Sequence, residues 1–130
     1  MDERSLLEQF ISESDHLVET LQRDLERLAA QLAGGRANPD LLNRVFRSAH
    51  SLKGMAGMAG VGSVQRAAHR FEDLLDDMRM GRLAPDERLV VSCARVAEDL
   101  AEMVASVARG LDAEEEADRL SAAVDALRSD

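Results

Sequence analysis

Residues 46–61, FRSAHSLKGMAGMAGV, combine a helical apolar pattern with an isolated histidine and several glycines. On a helix with about 100° per residue, the apolar residues before and after His50 fall on one face. That face comprises Leu41, Leu42, Val45, Ala49, Leu52, Ala56 and Ala59. Such a stripe is typical of a helix that packs into a bundle core. His50 points roughly 140° away from the middle of the stripe, so we expect its imidazole to face water.

Four other residues are predicted to share the exposed side of this helix with His50. They are Lys53, Gly54, Gly57 and Val61. Two glycines inside a helix cost together roughly 1–2 kcal/mol relative to alanine, and such local violations are typical of functional sites. We therefore predict that Gly54 and Gly57 form open surface on which a partner docks. The alternative is that they let a neighbouring helix of the same domain pack closely.

The composition indicates one helical domain. The chain has 130 residues, no Trp or Tyr and only two Pro, and Leu, Ala, Arg, Glu and Asp dominate it. The net charge of −9 argues against nucleic acid as a partner. No apolar run approaches the ~20 residues of a membrane span, and no signal peptide precedes the polar start. We therefore expect a cytoplasmic protein with no membrane partner.

Sequence motifs for most cofactors and metals are missing. The chain has neither a glycine-rich phosphate loop nor a dinucleotide fingerprint, and neither HExxH nor a repeated Glu-x-x-His. The single cysteine, Cys93, excludes an internal disulfide and lies among valines, so we interpret it as a small core residue. We expect no cofactor and no metal in this domain.

Apolar residues recur at helical spacing in five segments that glycine and proline separate. The predicted helices run from Asp2 to Leu32, from Asn38 and Pro39 to Gly60–Gly62, from Ser63 to Gly81, from Pro85 to Gly110, and from Asp112 to the C-terminus. Asn38 and Ser63 are the predicted N-caps of the second and third helices. Ser5 with Glu8, and Asp112 with Glu115, are predicted capping boxes. Short connections favour antiparallel neighbours. We predict an all-α, up-and-down four-helix bundle with an additional C-terminal helix, as a single domain over residues 1–130.

The third predicted helix carries a polar stripe opposite its core face. The stripe consists of Gln65, His69, Glu72 and Asp76. If the second and third helices form an antiparallel pair, part of this stripe lies beside His50. A plain solvated face is the simpler interpretation.

An exposed histidine with polar neighbours supports nucleophilic chemistry. A neutral imidazole is a competent nucleophile near pH 7, because its ordinary pKa is about 6.5. One ring nitrogen can attack phosphorus only if the other holds the proton, and a carboxylate that accepts a hydrogen bond fixes this tautomer. Glu72 is the candidate carboxylate. Lys53, one turn from His50, can balance charge on phosphoryl oxygens, and the glycines let a large partner come close.

Residues 49–81, AHSLKGMAGMAGVGSVQRAAHRFEDLLDDMRMG, resemble a known family. The resemblance is to the histidine-phosphotransfer (HPt) domain at the N-terminus of CheA-type chemotaxis histidine kinases. It rests on His-Ser-Leu-Lys-Gly, on the glycines that follow, and on the downstream His-x-x-Glu-x-x-Leu-Asp. The five-helix outline extends it over the whole chain.

The resemblance implies specific roles. His50 would be the phosphorylated residue, Glu72 would orient its ring, and Lys53 and His69 match the other polar residues of the site. Gly54, Gly57 and Gln65 are the residues predicted to dock partners. The implied partners are a kinase catalytic domain, which binds ATP elsewhere, and response-regulator receiver domains, which would accept the phosphoryl group on an aspartate.

Several alternatives remain open from the sequence. The chain starts with Met1 and lacks an ATP-binding motif, so we expect the N-terminal domain of a longer protein-histidine kinase. A free-standing phosphorelay HPt protein is the close alternative. A helical interaction module without phosphoryl chemistry is the second. A dimerising histidine domain is related to this second alternative, but it builds its bundle from two chains. We expect the present chain to be a monomer.

Overall fold

Five helices account for the architecture of the chain. The structure is a computed structural model that describes residues 2–36 and 38–129, so both ends of the predicted domain, Met1 and Asp130, lie outside the described residues. The helices are α1 (Glu3–Ala33), α2 (Pro39–Met58), α3 (Gly62–Arg79), α4 (Glu87–Ala108) and α5 (Glu114–Ser129). Those two described stretches contain no strand. The predicted all-α bundle with an additional C-terminal helix is confirmed.

The helices pack as an up-and-down bundle. α2 lies between α1 and α3, and α4 closes the bundle against α1. α5 packs mainly against α3 and also touches α4. The centre is filled by fully buried side chains from all of the first four helices, among them Phe10, Leu21, Leu25, Leu52, Phe71, Leu74, Leu100 and Met103. Burying one such side chain stabilises the fold by about 1.5–3 kcal/mol.

The core face of α2 is confirmed almost completely. Six of the seven predicted residues are buried: Leu41, Leu42, Val45, Ala49, Leu52 and Ala56. The seventh, Ala59, follows the last residue of the helix and is half-buried. Cys93 is fully buried on α4, as predicted, and burial raises the pKa of its thiol to about 12.

The prediction that Val61 is exposed beside His50 is wrong. α2 ends at Met58, and the chain reverses at Gly60, which has φ +74. Glycine adopts this left-handed conformation without steric cost. The turn carries Val61 away from the helical register and into the core, where it is 9% exposed.

Asparagine and aspartate cap the helix starts more often than the sequence analysis predicted. The expected Asn38 cap is confirmed, since its side chain accepts from the Asp40 amide at 2.9 Å. At α1, however, Asp2 rather than a Ser5–Glu8 box makes the cap, accepting from the Ser5 amide at 2.8 Å.

The predicted starts of α3 and α4 were each wrong by one or two residues. α3 begins at Gly62 without a side-chain cap, and the predicted cap Ser63 is buried in its first turn. At α4, Asp86 makes the cap by accepting from the Leu89 amide at 2.8 Å. The predicted opening residue, Pro85, therefore lies just before the helix.

α5 is held to the bundle by apolar packing and by ion pairs. Its buried residues are Ala117, Leu120 and Val124. Arg66 on α3 donates to Glu114 at 2.8 Å and to Asp118 at 2.9 Å, and Asp112 accepts from the Glu114 amide at 2.8 Å before the helix starts. Exposed ion pairs contribute little stability each, so the apolar residues account for most of the docking of α5.

Candidate functional site

The antiparallel pairing of α2 with α3 brings the predicted polar residues together. Their connection is short, from Ala59 to Val61, so the two helices lie side by side in opposite directions. The contacts show the register: His50 faces Glu72, and Gly57 faces Gln65 nearer the turn.

His50 is exposed, as predicted, and one of its ring nitrogens has a carboxylate partner. The side chain is 61% exposed, and Nδ1 lies 2.8 Å from Glu72 Oε2. Glu72 itself is 13% exposed. Within the described part of the chain, the other ring nitrogen, Nε2, has no hydrogen-bond partner.

Lys53 shares the same carboxylate. Its Nζ lies 3.0 Å from Oε1 and 3.0 Å from Oε2 of Glu72. Burial would raise the pKa of Glu72, but hydrogen bonds from Lys53 and His50 outweigh burial, so this pKa lies below its ordinary value. Glu72 is therefore ionised at neutral pH. We call His50, Lys53 and Glu72 the histidine cluster.

The ionised carboxylate selects the tautomer of the imidazole. A carboxylate can only accept hydrogen bonds, so Nδ1 carries the ring hydrogen and donates it to Glu72. In the neutral ring, Nε2 then holds a lone pair. In this tautomer the histidine cluster presents an exposed ring nitrogen with a lone pair, and the ammonium of Lys53 lies one helical turn away.

His69 lies on the same helix face as Glu72 but makes different contacts. Its side chain is 59% exposed, and Nε2 lies 3.9 Å from Asp73 Oδ1, which is beyond hydrogen-bonding distance. It forms no hydrogen bond with His50, Lys53 or Glu72. Its role in the site stays a prediction.

The two glycines of α2 have different surroundings. A Cβ built on Gly54 would meet nothing within 4 Å, as expected for open surface. A Cβ on Gly57 would lie 2.8 Å from Gln65 Nε2 and 3.3 Å from its Cδ. Gly57 is half-exposed, and the flexible end of the Gln65 side chain covers part of it, so its surroundings are less open than the sequence predicts. The docking roles of Gly54 and Gly57 stay predictions.

Two residues that were not predicted from the sequence lie beside the histidine cluster. Phe46 stacks on His50 with ring centroids 6.2 Å apart, and Arg79 places its guanidinium carbon 4.1 Å from the centre of the Phe46 ring. Phe46 could have been found, because residues four apart on a helix are neighbours. Arg79 could not have been found in this way, because its contact with Phe46 depends on the register between α2 and α3.

The described residues show neither a metal centre nor a membrane span. No group of three or more His, Cys, Asp or Glu side chains among residues 2–36 and 38–129 could hold a metal ion. In the same residues, no helix is long and apolar enough to cross a membrane.

Comparison with known proteins identifies the family of the chain. A family model described as "Hpt domain" matches residues 5–130. The chemotaxis protein CheA of Cereibacter sphaeroides is 33% identical over 110 residues, which cover 85% of this chain and 16% of that protein. CheA of Rhizobium meliloti is 34% identical over 103 residues, which cover 79% of this chain and 13% of that protein.

A further relative carries a kinase name. The sensor histidine kinase CheAY of Helicobacter pylori is 32% identical over 87 residues, which cover 65% of this chain and 10% of that protein. This chain thus spans no more than about a sixth of the length of these curated relatives. The family match extends over nearly all of the sequence, and the chain belongs to the Hpt domain family.

Proposed function

We propose that this domain is a phosphocarrier of two-component signalling, in which His50 accepts a phosphoryl group from an ATP-bound kinase domain and passes it to a receiver domain. The observation that carries the proposal is the 2.8 Å contact between His50 Nδ1 and an ionised Glu72. It leaves the exposed Nε2 with a lone pair, as attack on phosphorus requires. Membership of the Hpt family supports the same role.

The proposed acceptance step follows from this arrangement. Nε2 attacks the γ-phosphorus of ATP, an N–P bond forms, the P–O bond to the leaving group breaks, and ADP departs with the electron pair. The ring becomes positively charged and keeps its hydrogen on Nδ1. Glu72, 2.8 Å from Nδ1, stabilises that charge.

Transfer onward reverses the bonding at Nε2. A carboxylate oxygen of the receiver aspartate attacks phosphorus, the N–P bond breaks, and its electron pair returns to Nε2. The ring is then neutral again and ready for another cycle. Lys53 lies one turn from His50 and can offset the negative charge of the phosphoryl oxygens in both directions.

Exposure of the site suits transfer between large partners. His50 projects into solvent, and Gly54 one turn later adds no side chain to the surface. A kinase or receiver domain can therefore bring its own active site against the imidazole. Gln65, which covers Gly57, would be a polar contact at the edge of this docking surface.

We also propose that the domain belongs to a longer kinase and is monomeric by itself. The relatives are each several times longer than the matched region, which favours a domain of a longer protein over a free-standing phosphorelay protein. One chain supplies every helix of the bundle core, unlike a dimerising histidine domain. Light scattering on the isolated chain would test the monomer, and a kinase domain encoded downstream would distinguish the first two possibilities.

The central experiment combines the chain with a CheA-type kinase catalytic domain and ATP labelled on the γ-phosphate. The kinase's own HPt domain serves as the positive control. We expect label on the chain that is lost in acid, since N–P bonds hydrolyse there, and that moves to a receiver domain on addition. Absence of label would leave a helical interaction module as the function, and acid-stable label would indicate a hydroxyl acceptor instead of His50.

A further inference from the structure

An aromatic ring lies beside the imidazole of His50, nearly parallel to it. The hydrogen bond to Glu72 fixes the position of Nδ1 but lets the ring rotate about that contact. Phe46, one turn earlier on α2, has its ring at 17° to the imidazole plane, with centroids 6.2 Å apart. Aromatic rings prefer offset, near-parallel contacts at about 4.5–7 Å. The two rings thus have the geometry of a favourable offset pair, which rotation of the imidazole would break.

Phe46 is itself held by α3. The guanidinium carbon of Arg79 lies 4.1 Å from the centre of the Phe46 ring, a favourable cation–π geometry. Arg79 also donates to Asp76 Oδ1, from Nη2 at 2.7 Å and from Nε at 3.2 Å. The hydrogen bond from Arg79 lowers the pKa of Asp76, so the carboxylate stays charged at neutral pH. The cation over Phe46 is thus fixed by an ion pair on its own helix.

We propose that Phe46 is a positioning residue for His50 and that Arg79, oriented by Asp76, holds Phe46 in place. The inference rests on the proposed phosphoryl transfer and names residues that set the direction of the Nε2 lone pair. Phe46 does not touch the phosphoryl group. Transfer requires an in-line approach to phosphorus, and a displacement of about 1 Å at a reacting atom can cost roughly 10²-fold in rate.

The main test is Phe46→Leu, which keeps apolar bulk at a half-buried position and removes the aromatic face. With the kinase domain and ATP, we expect the maximal rate to fall by about 3- to 10-fold, the worth of one aromatic pair, with KM for the chain unchanged. Phosphoramidate, a small phosphoryl donor that needs no docking surface, should show the same loss. In that reaction Nε2 attacks phosphorus and ammonia leaves.

Matched variants separate positioning from stability. Phe46→Tyr keeps the ring and should restore the rate. Arg79→Met keeps an apolar stem over Phe46 without the cation, and should cause a smaller loss of the same kind. Arg95→Met removes one arginine from α4 and should leave both rates unchanged. Melting curves must show every variant folded at the assay temperature, so that lost rate cannot reflect unfolded chain.

The outcomes distinguish this inference from the proposed function. If the wild-type chain takes up no phosphoryl group, both fail. If the wild-type chain is labelled and Phe46→Leu reacts at the wild-type rate with both donors, only the positioning role is overturned. A loss seen with the kinase but not with phosphoramidate would also overturn it, because Phe46 would then act as a docking contact.

Discussion

Glu72 Oε2 lies 2.8 Å from His50 Nδ1, although the two residues are 22 positions apart in the chain. The same carboxylate lies 3.0 Å from Lys53 Nζ. One partly buried anion on α3 therefore contacts both His50 and Lys53 of α2. Burial would raise the pKa of Glu72, but these two hydrogen bonds outweigh it and lower that pKa, so the carboxylate is ionised at neutral pH.

His50→Gln is expected to abolish acid-labile phosphoryl uptake while leaving the fold intact. The side chain is mostly exposed, and changes at such positions usually alter the free energy of unfolding by no more than about 0.5 kcal/mol. Labelling with kinase and ATP, together with thermal melts, would measure both effects. His16→Gln, at another exposed histidine, is the matched control. Acid-labile label on the His50→Gln variant would exclude His50 as the acceptor.

Glu72→Gln should slow phosphoryl acceptance without preventing it. The amide oxygen can still accept from Nδ1, but it cannot stabilise the positive charge that develops on the ring. We expect a loss of about 10²-fold or less, because a complete general-base or orienting group supplies roughly 10²–10⁴-fold. Single-turnover rates at saturating kinase would measure it, with Glu98→Gln on α4 as a charge-matched control. An unchanged rate would remove Glu72 from the mechanism.

Alanine substitutions should separate the two glycines of α2. Gly54→Ala should raise the free energy of unfolding by about 0.5–1 kcal/mol, since its Cβ meets nothing and alanine favours the helix. Gly57→Ala should raise the free energy of unfolding by less. The new Cβ would lie 2.8 Å from Gln65 Nε2, so the Gln65 side chain must move. Urea unfolding of both variants measures the difference. An equal gain at both positions would show that the Gln65 contact has no energetic effect.

Gly54→Leu tests whether open surface beside His50 is needed for docking. The leucine side chain has room and should not unfold the domain. It should nevertheless slow transfer from the kinase and to a receiver, because added bulk holds either partner away from the imidazole. Reaction with phosphoramidate should be unaffected. Wild-type transfer rates in this variant would exclude Gly54 from the docking surface, and an unfolded variant would contradict its open surroundings.

Cys93 should resist alkylation in the folded protein. Its thiol is fully buried, and burial raises its pKa to about 12, so at pH 8 only about 10⁻⁴ of it would be the reactive thiolate. Iodoacetamide followed by mass measurement should find native chain unmodified and urea-unfolded chain modified. Rapid modification without denaturant would show that the α4 face of the core opens readily.

Local periodicity determined much of the fold. The spacing of Val45, Ala49, Leu52 and Ala56 predicts the buried face of α2, because a helix converts sequence spacing into direction without reference to the rest of the chain. The exposure of His50 follows from the same geometry. Helix starts were less predictable, since a neighbouring aspartate can make the cap in place of a predicted serine, as Asp2 does at α1, or begin the helix after a predicted proline, as Asp86 does at α4.

The candidate site was only partly predictable. Carboxylate chemistry and the resemblance to a family both indicate Glu72 as the partner of His50. Sequence spacing alone allows any of the four polar residues on that face of α3 to lie beside His50. His69 shares that face yet bonds to no member of the histidine cluster. The functional roles of these residues stay predictions that the variants above address.

Periodicity within a few turns is enough to predict which side of α2 is buried, because it needs no information from the other helices. The register between α2 and α3 depends instead on the turn at Gly60 and on the fit of two whole helix faces. That register places Glu72 at His50, Gln65 over Gly57, and Arg79 on Phe46. Each of these contacts joins residues on different helices, so no local pattern specifies them.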